Sequence, residues 1–143
     1  MKINDFVIKF ANVNGSGSAS ANSLFAKAVF RMGVPVAPKN IFPSNIQGLP
    51  TWFEVRVNGD GFLGRREGID VMVAMNPQSW ADDLASIVPG GYLLYDSMFI
   101  REIERDDIKT IGVPLTKLCN ERFIVPRERQ LFKNVAYVGA LTA

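Results

Sequence analysis

The run Gly15-Ser16-Gly17-Ser18-Ala19-Ser20 is the stretch of this sequence best composed for chemistry. It follows an apolar segment, Phe6 to Val13, and precedes a helical pattern carried by Leu24, Phe25, Ala28, Val29 and Met32. At a strand-to-helix junction the first helical turn presents free N–H groups and the positive end of the helix dipole, and small residues let an anion approach the backbone. The spelling departs from a dinucleotide fingerprint. Ser20 stands where a third glycine or alanine belongs, and no Asp or Glu follows about 20 residues on. Two readings stay open, a phosphate or nucleotide contact and a tight turn with a serine cap.

A second loop, Phe42 to Trp52, lies after the next extended segment, Val34 to Phe42, at the edge where open α/β sheets bind ligands. Ser44, Asn45 and Gln47 offer hydrogen bonds to a neutral or anionic ligand, while Pro43, Pro50 and Trp52 stiffen the loop or form a protein contact. A plain connection is the alternative. Gly59-Asp60-Gly61 spells the start of a thiamin-diphosphate signature, but no Asn-Asn pair follows, and Asn58 in front makes it turn chemistry of a hairpin. Asp82 and Asp83 are adjacent, point in different directions on a helix and read as solvated; Asp96 is the only one of the three near the ligand edge. The single Cys119 has no histidine to activate it and reads as a buried small residue. No catalytic or metal-ligating residue is assigned.

The elements that must position these loops are legible in the periodicity. Phe6 to Val13 is nearly continuous in apolar character, as a central parallel strand covered on both faces would be. Gly33 ends the first helix before Pro35. Phe53-Glu54-Val55-Arg56-Val57 alternates strictly, which places it at a half-exposed sheet edge. Ile69 to Met75 predicts a strand, Asn76-Pro77 a helix start, and Trp80, Leu84, Ile87 and Val88 an apolar helix face closed by Pro89-Gly90-Gly91. Tyr92 to Tyr95 and Thr110 to Leu115 predict two more strands around a charged loop or short helix, Arg101 to Lys109, and Lys133 to Ala143 predicts a packing helix. The sum is an α/β, Rossmann-like three-layer fold with a mostly parallel sheet, in one domain over 1–143.

Composition narrows the function classes. With 48% hydrophobic and 21% charged residues the chain is an ordinary globular one. A net charge of +2, with no clustering of Lys and Arg on one element, does not describe a nucleic-acid surface. The distribution is uneven, however: between Asp5 and Glu54 there is no acidic residue, but Lys9, Lys27, Arg31 and Lys39 all fall there. Without histidine, and with one cysteine, iron-sulfur or His-based chemistry must take place on other chains or domains. No apolar run approaches the roughly 18 residues of a membrane span, so a cytoplasmic location is expected.

The stretch from Asn14 to Gly33, followed by Lys39-Asn40-Ile41-Phe42-Pro43-Ser44-Asn45-Ile46-Gln47-Gly48-Leu49-Pro50-Thr51-Trp52, closely resembles the gamma domain of 2-oxoacid:ferredoxin (acceptor) oxidoreductases. The likeness is to the version that begins the alpha subunit of 2-oxoglutarate-type enzymes. Ala74-Met75-Asn76-Pro77, Gly90 to Ser97, Val113-Pro114-Leu115 and Asn134 to Leu141 extend it over nearly the whole chain. It implies a component of an enzyme that uses thiamin diphosphate, magnesium and iron-sulfur clusters to decarboxylate a 2-oxoacid oxidatively onto coenzyme A. The thiamin and clusters belong to other domains or subunits, and ferredoxin is met only indirectly. This domain would receive coenzyme A and close over the active site, with Gly15, Ser16, Gly17 and Ser18 at the phosphate end and Ser44, Asn45 and Gln47 facing the shared cleft.

The resembled domain continues beyond the last helix, whereas this sequence ends at Ala143, as a fragment or a separate short subunit would. An apolar patch around Phe132, Val135, Tyr137 and Val138 is then expected to seek a partner chain or self-association. A stand-alone nucleotide-binding or scaffolding module without catalysis is the competing expectation. A self-sufficient NAD dehydrogenase is disfavoured by the missing acidic residue after the second strand.

Overall fold

Apolar side chains on both faces of the Phe6 to Val13 run need cover from two sides, and the fold provides it. The computed structural model describes residues 3–99 and 101–143. In chain order the elements are β1 (Asp5–Val13), α1 (Ser18–Arg31), β2 (Val36–Ile41), β3 (Pro50–Asn58), β4 (Ile69–Ala74), α2 (Trp80–Ser86), β5 (Ile87–Asp96), β6 (Lys109–Val113), α3 (Leu115–Arg122) and α4 (Pro126–Thr142). The strands form one six-stranded sheet in the order β2-β3-β1-β4-β5-β6. β1 pairs in parallel with β4, β4 with β5 and β5 with β6, whereas β3 runs antiparallel between β2 and β1. This is the expected three-layer α/β architecture with a mostly parallel open sheet.

On one face, Ile8 and Phe10 of β1 pack with Phe25 of α1, Leu115 of α3 and Tyr137 of α4. Phe10 is the hub: its ring lies 5.9 Å from Phe25, 6.3 Å from Phe53 and 5.9 Å from Tyr137. Such aromatic pairs contribute about 0.5–1.5 kcal/mol each beyond their area burial. On the other face, Val7 and Ala11 join Met72, Leu93, Leu84 of α2 and Ile108. The charged stretch before β6 is a loop fastened there by Arg105, which donates to the carbonyls of Leu84 and Ile87 at 2.8 Å each.

Several sequence expectations are corrected. β3 is not an edge strand: it lies inside the sheet, and the edge on that side is β2. The alternating polar positions are buried all the same, each beside a charged residue of a neighbouring strand. Glu54 stands in register between Lys9 on β1 and Lys39 on β2, an arrangement that favours opposite charges. Arg56 pairs with Asp5 at 2.6 Å, and that hydrogen bond holds the Asp5 carboxyl below the usual carboxylate range.

α1 buries Ser18, Ala21, Asn22, Phe25 and Ala26, while Leu24 and Met32 face outward. α2 ends at Ser86, so Ile87 and Val88 belong to β5 and Pro89-Gly90-Gly91 lies inside that strand rather than closing a helix. The pairing shifts there, between Ile69↔Ile87 and Val71↔Tyr92, the signature of a bulge. Gly91 serves it, since an added Cβ would stand 2.6 Å from Ile87 Cγ2 and 2.9 Å from the Asp70 carbonyl. Asn58 to Gly61 forms a turn but not a hairpin, because the strand that follows pairs with β1 instead of β3. In α4, Tyr137 and Val138 are buried and only Phe132 and Val135 of the expected patch are exposed.

Candidate functional site

β1 ends at Val13, and the pairing with β3 continues beyond it: Asn14 N–H donates to Leu49 O at 2.8 Å and Gly48 N–H donates to Asn14 O at 3.0 Å. The glycine loop and the Phe42 to Leu49 loop are therefore two lips of one structure. Asn14 Nδ2 adds a bond to Ile46 O at 3.1 Å. Gly15, at φ +83°, lies directly under Gln47, where an added Cβ would be 2.7 Å from Gln47 Cγ. Gly17 takes the left-handed conformation at φ +73° that opens α1, a backbone geometry that favours glycine. An added Cβ there would meet Leu131 Cδ2 of α4 at 2.8 Å.

A buried amide network fixes these lips to the helices. Asn22 on α1 donates to Asn12 Oδ1 at 3.0 Å and accepts from the Tyr137 hydroxyl at 2.6 Å. Burial pushes the Tyr137 pKa upward, keeping the hydroxyl protonated as a donor. Asn76 Nδ2 donates to Asn12 O at 3.0 Å, and Asn134 Nδ2 donates to Ser16 O at 2.9 Å. All four asparagines are buried, and fully paired networks of this kind hold one arrangement of a core.

Two cavities flank the loop. One, of about 230 Å³, lies between the start of α1 and residues Phe42, Trp52 and Phe53. The other, of about 300 Å³, is lined by Asn14, Gly15, Ser16, Gln47, Gln130 and Lys133 among others. Neither is lined by an acidic side chain. The Ser16 hydroxyl is buried with no hydrogen-bond partner in the protein, a state that costs about 1–3 kcal/mol unless something accepts its proton.

Gly15 lines both cavities, Ser16 and Gln47 the larger one, and Gly17 and Ser18 the smaller one. Ser44 serves the loop itself, its hydroxyl accepting from Ile46 N–H at 3.2 Å, and Asn45 is exposed; neither lines either of these two cavities. Asp83 corrects its solvated reading. It is buried, accepting from the Trp52 indole at 2.8 Å and the Ser79 hydroxyl at 2.6 Å. Desolvation raises its pKa above the ordinary Asp value, against the hydrogen bonds that lower it. Asp96 spends its carboxylate on Met98 N–H and on the N–H and hydroxyl of Thr116 at the start of α3. Cys119 is buried, and desolvation raises its thiol pKa. Among the described residues no cluster of His, Cys, Asp and Glu is arranged to hold a metal ion, and no helix is long and apolar enough to cross a membrane.

Sequence reasoning missed Asn12, Asn22, Lys133, Asn134 and Tyr137. The available signal was the helical spacing of Gln130, Lys133, Asn134 and Tyr137 on α4, polar groups aligned along an otherwise packing helix.

Residues 7–143 match the sequence model of the family described as pyruvate ferredoxin/flavodoxin oxidoreductase. The chain is 24% identical over 119 residues to the alpha subunit of 2-oxoacid:ferredoxin oxidoreductase 2 of Aeropyrum pernix, covering 83% of this chain but 18% of that subunit. Among solved structures it is similar to the 2-oxoglutarate:ferredoxin oxidoreductase of Magnetococcus marinus, which has 2-oxoglutarate, coenzyme A and succinyl-CoA bound. The TM-score is 0.85 at 24% identity, over 99% of this chain and 24% of the other. The gamma subunit of a keto/oxoacid ferredoxin oxidoreductase from Geobacter sulfurreducens matches with a TM-score of 0.73 at 18% identity, over 96% of this chain and 75% of the other. At these identities the structural likeness is one of fold.

Proposed function

Because this chain belongs to the pyruvate ferredoxin/flavodoxin oxidoreductase family, we propose that it is the gamma-type component of a thiamin-diphosphate-dependent 2-oxoacid:ferredoxin oxidoreductase. It binds coenzyme A, the acyl acceptor, and closes over an active site assembled with other domains or subunits. Those partners hold the thiamin diphosphate and magnesium, and also the iron-sulfur clusters, for which a chain with one cysteine lacks the thiolate ligands. The Magnetococcus enzyme, with its bound 2-oxoglutarate, coenzyme A and succinyl-CoA, supports 2-oxoglutarate as the 2-oxoacid.

The observation that carries this reading is the docking of two loops at the strand ends. Gly15 lies under Gln47, and the paired lips leave cavities on either side that no acidic side chain lines. A phosphorylated ligand fits such a place, where backbone N–H groups and a helix N-terminus face it without a competing carboxylate.

The test is purification of the tagged chain from its native cells, with an assay for coenzyme A-dependent oxidation of 2-oxoglutarate. Co-purification with thiamin- and cluster-binding partners, together with that activity, is the expected result. Recovery of the chain alone, inactive with any 2-oxoacid, would replace this reading with the stand-alone binding module.

A further inference from the structure

The larger cavity has α4 as its far wall, and helical periodicity sets Gln130, Lys133, Asn134 and Tyr137 along the side of α4 nearest the glycine loop. Most of these groups are already engaged. Asn134 Nδ2 holds the Ser16 carbonyl, Gln130 Nε2 donates to Asn134 Oδ1 at 3.3 Å, and the Tyr137 hydroxyl is bound to Asn22. Lys133 is different. Among the described residues the ion pairs are Arg56–Asp5, Arg66–Asp70 and Arg105–Asp107, and Lys133 is in none of them. It lines the cavity of about 300 Å³ and also an adjoining one of about 190 Å³, and no carboxylate lines either. The buried Ser16 hydroxyl, unpartnered within the protein, lines the first of these cavities with it.

We infer that Lys133 and the Ser16 hydroxyl form a phosphate-binding site, in which α4 supplies the cation that the glycine loop lacks. An ammonium without a counter-ion is stabilised by an anion brought to it, and an unpaired hydroxyl is satisfied by accepting oxygens of the same group. Asn134 is the positioning residue: by holding the Ser16 carbonyl it fixes where the Ser16 side chain stands. The site rests on the coenzyme A reading for the identity of its ligand, whereas the cation and the hydroxyl stand on the geometry alone.

The test is titration of inorganic pyrophosphate into the full chain by calorimetry, in wild type, Lys133→Met, Lys133→Arg and Ser16→Ala, with thermal melts confirming that each variant is folded. Lys133→Met keeps the aliphatic stem and should weaken binding at least tenfold. Lys133→Arg keeps the charge and should stay within about threefold of wild type, and Ser16→Ala should lose about three- to tenfold. The inference is overturned if wild type binds no pyrophosphate, or if Lys133→Met binds it as wild type does. Coenzyme A titrated in parallel separates the two readings. Binding of pyrophosphate through Lys133 with no binding of coenzyme A leaves the anion site standing and removes the coenzyme A assignment. Binding of coenzyme A that Lys133→Met leaves unchanged does the reverse.

Discussion

Gln47 lies over Gly15 so closely that a single added methyl would approach its Cγ to 2.7 Å. Gly15 is also held at φ +83°, where an L side chain adds strain of roughly 1–2 kcal/mol. Gly15→Ala should therefore destabilise the fold by about 1–3 kcal/mol and raise the coenzyme A concentration needed for half-maximal binding at least tenfold. Adding Gln47→Ala should relieve the contact but not the backbone strain, recovering only part of the stability in a denaturant titration. Full recovery would show that the glycine is required for space alone.

The Tyr137 hydroxyl and Asn22 Oδ1, 2.6 Å apart and 115 positions apart in sequence, tie α4 to α1. Tyr137→Phe leaves the ring packed on Phe10 and removes one buried donor, with an expected loss of about 1–2 kcal/mol. Asn22→Ala strands both the Tyr137 hydroxyl and the Asn12 side chain and should cost about 2–4 kcal/mol. A double-mutant cycle by urea denaturation should give a coupling of about 1 kcal/mol or more between the two sites. A coupling near zero would mean that the bond is not formed in solution.

What the sequence revealed and what it concealed divide along the distance over which residues meet. The first strand, the glycine loop and the first helix were legible because local signals set them, the two-faced apolar run and then Gly15, Gly17 and Gly33. β3 was misplaced because Glu54 and Arg56 look solvent-facing until Lys9, Lys39 and Asp5 arrive from other strands. Ile87 and Val88 fit helical and strand periods equally, and pairing of Ile87 with Ile69 decided for the strand. The loop part of the candidate site could be read in advance. The partner of Asn134 could not, since helical spacing marks its face of α4 but not the Ser16 carbonyl it reaches across 118 positions.

Asp83 imposes a pH dependence of definite sign. Burial raises its folded-state pKa above the unfolded value. As pH falls through the folded pKa the native state takes up a proton first, so this group contributes stability at low pH that is lost as pH rises through the folded pKa. Asp5 and Asp107, whose pKa values are lowered by hydrogen bonds to Arg56 and Arg105, act in the opposite direction. Their stabilisation is present above the unfolded carboxylate range and lost as pH falls through the folded pKa. The difference between wild type and Asp83→Asn isolates the first effect: relative to the variant, wild type should gain stability as pH falls from 7 toward 4. Parallel melting-temperature curves for the two proteins would show Asp83 to be solvated.

Trp52 can report on the smaller cavity, because it is among the residues that line that cavity while its indole N–H is anchored on Asp83. The other tryptophan, Trp80, lies with its ring 5.9 Å from Tyr95 and its N–H donating to Glu102 O at 3.2 Å, and it lines neither loop cavity. Trp80→Phe keeps the aromatic contact and loses that hydrogen bond, at about 0.5–1.5 kcal/mol, leaving Trp52 as the single indole. Coenzyme A should then change the emission of Trp80→Phe in a saturable way, with the midpoint found by calorimetry, whereas Trp52→Phe should show almost no ligand-dependent change. Inorganic pyrophosphate, confined to the Lys133 side of the loop, should leave the Trp52 signal nearly unaltered while still releasing heat. An equal fluorescence response to both ligands would place the phosphate in the aromatic cavity beside α1 and away from α4.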